Sequence, residues 1–118
     1  MHITLCTTEK MFRKTLRHIG VKKAHRPLFT VNSWSDAAVH TFDMPGKKVA
    51  VVCLRKRSGI DHVQVLSLLV HEATHLWQSI RENIGELQPS SEFEAYAIQS
   101  LSQVLMAEYL RQARRAEG

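Results

Sequence analysis

From Val63 to Arg81 the chain runs without a proline or glycine, and its apolar residues Val65, Leu66, Leu69, Ala73, Leu76 and Ile80 recur at helical spacing. That pattern predicts a long helix with a broad face turned to the core. Its start is marked by Asp61 with Gln64 three residues on, a capping box that places the first helical residue near His62. Asn83-Ile84-Gly85 is the stop signal. Inside this helix lies the sequence His71-Glu72-Ala73-Thr74-His75. Every other segment can be placed relative to it.

Residues four apart on a helix are separated by about 400°, so the His71 and His75 imidazoles leave the same face, one above the other. Two imidazoles so placed form a clamp for a metal ion. Zinc takes imidazole nitrogen at roughly 2.0–2.1 Å in tetrahedral geometry, so such a helix needs a third ligand from elsewhere and leaves the fourth position to water. Glu72, next to the first histidine, is placed to act on that water as general base. The flanking residues Leu68, Leu69, Val70, Leu76 and Trp77 are uncharged, unlike the usual setting of a solvated histidine pair.

These residues resemble the His-Glu-x-x-His signature of the zincin metallopeptidases. The metzincin continuation, with glycine three and histidine six residues after the second histidine, is absent, because Gln78 and Arg81 stand there. Downstream, Ser90-Ser91-Glu92-Phe93-Glu94-Ala95-Tyr96 is similar to the Glu-Phe-x-Ala-Asp motif of the gluzincin branch. The resemblance covers roughly residues 61 to 105 and implies a zinc-dependent peptidase. In it His71, His75 and Glu92 are the metal ligands, Glu72 is the catalytic base, and Zn2+ is the cofactor. Tyr96 stands where the family has an aspartate that steadies a ligand histidine, a departure that falls on the outer shell of the site. In size the chain resembles single-domain mini-gluzincins and small HExxH peptidases of phages and bacteria. A shallow, open site acting on a restricted protein substrate is what that resemblance implies.

Glu94 is the alternative third ligand. The spacing Ser91-x-x-Glu94 reads as a capping box that would occupy its carboxylate at a helix start. Yet Glu94 also falls within the apolar stripe of Phe93, Ala97, Ile98, Leu101, Val104 and Leu105, where a carboxylate needs a partner. Glu92 is favoured. The family adds a side chain that stabilises the oxyanion, for which Tyr96 and His40 are the candidates.

The remaining segments predict an α+β, zincin-like single domain over residues 1–118. Residues 2–6 read as a short strand, and a helix capped by Thr7 or Thr8 runs to Ile19, with Gly20 ending it. Leu28 to Val31 has strand composition, and Trp34 sits in a turn with Ser33, Ser35 and Asp36, its ring packed in or beside the core. Ala38–Phe42 and Lys48–Leu54 read as a hairpin closed at Met44–Lys47, within a small, mostly antiparallel sheet. Zincins use an edge strand to bind substrate backbone, which makes one strand of this hairpin the expected shelf. A last helix spans Glu92 to Arg115.

At 118 residues with 44% hydrophobic content the chain can bury a core without staples. Cys6 and Cys53 form no Cys-x-x-Cys pair and read as buried thiols. A structural zinc site would close all four positions, often with cysteine, and neither cysteine is near the motif. The other histidines, His2, His18, His25, His40 and His62, are scattered singly. With no leader pattern at Met1 and no membrane-length apolar run, the expectation is a cytoplasmic protein. The net charge of +5, with cations gathered at Lys10–Arg26, Lys47–Arg57 and Arg111–Arg115, makes polyanions possible partners. A non-catalytic zinc-containing protein, or a basic protein associated with nucleic acid, is the alternative function.

Overall fold

The computed structural model describes residues 1–32 and 34–117, and within it the chain sorts into two compact units, Met1–Ile60 and Asp61–Gly118. The first is organised by strand β3 (Lys47–Leu54), whose run from Val49 to Leu54 is buried throughout. β3 is central because it is paired on both sides. Strand β1 (His2–Cys6) lies parallel to it, His2 opposite Val49 and Cys6 opposite Cys53. Strand β2 (Ala37–Met44) lies antiparallel, Ala37 opposite Leu54 and Met44 opposite Lys47. The sheet order is β1-β3-β2. This corrects the mostly antiparallel expectation to a mixed sheet. A helix intervenes between β1 and the hairpin, and such a crossover is what permits a parallel pair. Among the described residues β2 is the edge strand of the hairpin, and β3 is paired on both sides.

The hairpin turns through Pro45-Gly46, with Gly46 at φ +77°, a conformation L side chains rarely adopt. Helix α1 (Glu9–Ile19) starts on Thr8, whose hydroxyl accepts from the Met11 amide. It ends at Gly20, φ +91°, where the Gly20 and Val21 amides both return to carbonyls of the last turn. That Schellman ending turns the chain so that Val21 is buried. Phe12 and Leu16 of α1 pack with Cys6, Val49, Val51 and Cys53 in one cluster that also takes in Val21 and Phe29. Both cysteines are buried, as expected.

Leu28 to Val31 does not form the expected strand. Asn32 wins locally: its side-chain oxygen accepts from the Trp34 and Ser35 amides and from the Ser35 hydroxyl, and Thr30 donates to its carbonyl. Such side-chain bonds compete with a sheet ladder. Phe29 joins the hydrophobic core, edge-on to Phe12, and Thr30 is buried as well. Trp34, expected to pack, is 76% exposed on this turn, and Ser33 lies outside the described residues.

The second unit is a pair of neighbouring helices, α2 (His62–Asn83) and α3 (Ser91–Glu117). The predicted capping box of α2 is present, with Gln64 N–H donating to Asp61 and the Asp61 N–H to Gln64 Oε1. Its end is a second glycine stop, Gly85 at φ +73°, with the Glu86 amide reaching back to Arg81. Val65, Leu69, Ala73 and Leu76 are buried as their spacing predicts, and Glu72 and Trp77 join them. In α3 the cap is Ser90 rather than Ser91, since the Phe93 amide donates to the Ser90 hydroxyl and the Glu94 amide to its carbonyl. Leu105, Tyr109 and Ser102 are its buried positions, whereas Phe93 and Val104 of the expected stripe are 53% exposed. Among the described residues no helix is long and apolar enough to cross a membrane.

Candidate metal centre on helix α2

α2 brings the two motif histidines together as its period requires. His71 Nε2 and His75 Nε2 are 3.2 Å apart, their rings crossing at 81°. Both residues are exposed, so a ligand reaches them without displacing the core. A cation at about 2.0–2.1 Å from each of two nitrogens 3.2 Å apart subtends roughly 100° between them, close to a tetrahedral edge. The pair therefore fits two corners of a zinc site.

Gln78, one turn further on, completes the pair. Its Oε1 lies 3.2 Å from His75 Nδ1. An amide oxygen only accepts, so Nδ1 carries the ring proton and the Nε2 lone pair of His75 faces His71. In that tautomer His71 Nε2–H donates to His75 Nε2, and a cation held by both nitrogens would take the place of that proton, with His71 protonated on Nδ1. A hydrogen bond to the remote nitrogen is what commonly orients a ligand histidine. The i, i+3 spacing of Gln78 from His75 makes this contact legible in the sequence.

Glu72 lies next to His71 in sequence and is 5% exposed. Carboxylates are rarely buried to this degree without a partner, and Glu72 does make interactions within the protein. The motif thus presents two imidazoles at the surface and a carboxylate at the boundary of the core.

Glu92 is not brought to the histidines. Among the described residues, no group of three or more His, Cys, Asp or Glu side chains is placed to hold one metal ion. The reason is the face of α2 on which α3 is anchored. Trp77, 3% exposed, donates its indole N–H to Glu94 Oε2 at 2.8 Å and meets the Phe93 ring edge-on. Trp77 projects about 120–160° around the helix from His71 and His75. Glu94 is thereby neither the helix cap nor beside the histidines: it is the acceptor for a buried indole. Glu92, in the first turn of α3, is exposed.

The two oxyanion candidates have other surroundings. Tyr96 is 64% exposed on α3. His40, on β2, has Nε2 3.0 Å from the Phe29 carbonyl and its ring against Phe12, which is a packing role in the first unit. Of the other histidines, His62 is bonded through Nδ1 to the Tyr109 hydroxyl at 2.7 Å, tying the start of α2 to the last third of α3. Sequence spacing held no signal for that contact, whose partners are far apart in the chain.

Comparison with known proteins returns no matching family model, and no matching curated protein or solved structure.

Proposed function

We propose that this chain is a zinc-dependent peptidase of gluzincin character whose metal is gripped by His71 and His75, with Glu72 as general base. The observation that carries this is the 3.2 Å separation of two surface imidazole nitrogens on one helix, beside a carboxylate drawn into the core. Glu92 is proposed as the third ligand on the strength of its place in the motif, and reaching the histidines requires the first turn of α3 to move. Among the described residues the Glu92 side chain has no ion pair to break, and such a movement works against the Trp77–Glu94 bond and the Ser90 cap.

A bound zinc ion supplies Lewis acidity, lowering the pKa of a water toward about 7 and polarising a carbonyl. The protein's own groups do the rest. Glu72 takes a proton from the attacking water and passes it to the leaving amine, so the peptide C–N bond breaks as the new C–O bond forms. Gln78 keeps the His75 lone pair directed at the metal.

The deciding experiment is metal content by elemental analysis after zinc loading, on the wild type and on His75→Ala, Glu92→Ala and Glu94→Ala. Stoichiometric zinc, lost in His75→Ala and Glu92→Ala but kept in Glu94→Ala, is the expected pattern. Glu72→Gln keeps zinc and loses cleavage of a quenched-fluorescent peptide library. A wild type that takes up no zinc overturns the proposal.

A further inference from the structure

The division into two units reveals a separation of charge. Residues Met1–Ile60 hold twelve lysines and arginines against three acidic residues, a net charge of +9. The unit from Asp61 onward holds four against eight, a net charge of −4. The whole-chain value of +5 conceals this split, and charge asymmetry between parts of a chain points to a polyanionic partner for the basic part.

The basic unit also arranges its charge. Lys10, Arg13, Lys14 and Arg17 follow i, i+3, i+4, i+7 spacing on α1, and all four are exposed. They form one stripe opposite Phe12 and Leu16, and exposed Lys22 and Lys23 follow the Gly20 turn. Arg13 is 3.7 Å from Glu9, while among the described residues Lys10, Lys14, Arg17, Lys22 and Lys23 have no ion pair. The stripe is about 10 Å long, which matches about three phosphates along one strand.

An exposed indole, Trp34, is tied to the same helix. Arg55 bonds to the Ser35 carbonyl and the Thr30 hydroxyl and lies 3.8 Å from Glu9. It thus ties the turn carrying exposed Trp34 to the first turn of α1. A cationic track beside an exposed indole is the pairing that holds single-stranded nucleic acid, phosphates on the cations and a base on the ring. A lipid surface fits poorly, because the apolar face of α1 is buried in the core and cannot enter a bilayer.

We infer that the first unit is a binding surface for single-stranded nucleic acid, formed by Lys10, Arg13, Lys14, Arg17 and Trp34. This does not depend on the peptidase assignment. The test uses the full chain, a fluorescein-labelled oligo(dT) and its RNA counterpart, titrated over a range of salt concentrations. Each phosphate neutralised contributes roughly −0.7 to the slope of log affinity against log salt. The wild type should show a slope near −2, and Lys10→Ser/Lys14→Ser/Arg17→Ser should flatten it to near zero. Trp34→Ala should weaken binding about tenfold with the slope unchanged. Arg114→Ser/Arg115→Ser, in the other unit, should leave binding as it was. Three results overturn the inference: no binding at low salt, equal binding by the triple variant with its fold intact by circular dichroism, or displacement by poly-glutamate as effective as by oligonucleotide with Trp34→Ala silent. The last would identify an acidic polypeptide as the partner.

Discussion

Removing the Glu94 carboxylate should destabilise the helix pair and leave metal binding untouched. The Trp77 indole N–H is buried, and Glu94 Oε2 accepts from it at 2.8 Å. A hydrogen bond to a charged acceptor contributes about 1.5–3 kcal/mol, and a buried donor left without a partner loses at the upper end of that range. Glu94→Ala should therefore cost about 2–3 kcal/mol. Glu94→Gln, which still offers an oxygen, should cost about 1 kcal/mol. At roughly 4 °C per kcal/mol for a chain of this size, the Ala variant should melt about 8–12 °C below the wild type. The measurement is thermal and urea unfolding with a chelator present, so that bound metal does not add its own stabilisation. Trp77→Phe is confounded by lost packing against Phe93, so the bond itself is isolated by a double-mutant cycle, with an expected coupling of about 1.5 kcal/mol. Unchanged melting of Glu94→Ala, or a coupling under about 0.5 kcal/mol, would refute the indole-acceptor role. Loss of zinc in that variant at an unchanged melting temperature would instead make Glu94 a ligand.

Two further outcomes follow from particular side chains. Cys6 and Cys53 are fully buried, and burial pushes the Cys6 thiol up against the smaller lowering effect of its contact with Thr15. Both thiols should react with a chromogenic disulfide reagent only at the rate at which the protein opens, and fast labelling of the native protein would contradict that packing. On α3, the hydrogen bond from Arg111 to Glu108, aided by Gln112 and the nearby charge of Arg115, holds the Glu108 carboxyl down at about 2. A depressed folded-state pKa gives stability that is present above the unfolded carboxylate value and lost as pH falls toward about 2. Because the pair lies in solvent, screening keeps that contribution small. Glu108→Gln should remove it at pH 7 and make no difference near pH 2, checked by the pH dependence of urea midpoints. A variant equally destabilised at both pH values would show that packing, not the ion pair, was lost.

What the sequence determined by itself was local. Short-range rules set the Asp61/Gln64 capping box, the Gly20 and Gly85 stops, the hairpin turn at Gly46 and the meeting of His71 with His75, because each depends on residues at most a few positions apart. Tertiary structure decided which residues meet over longer separations. Whether β1 would lie parallel to β3 depended on where the crossover through α1 returned the chain, and whether the 28–31 segment would join the sheet or yield to the Asn32 turn depended on a competition between ladder and side-chain hydrogen bonds. The choice between Glu92 and Glu94 likewise turned on which face of α2 receives α3. A buried indole that must bond its N–H captured Glu94, anchoring α3 away from the histidine face. The charge split between the units was written in the composition all along, but only the boundary near Ile60 made it visible.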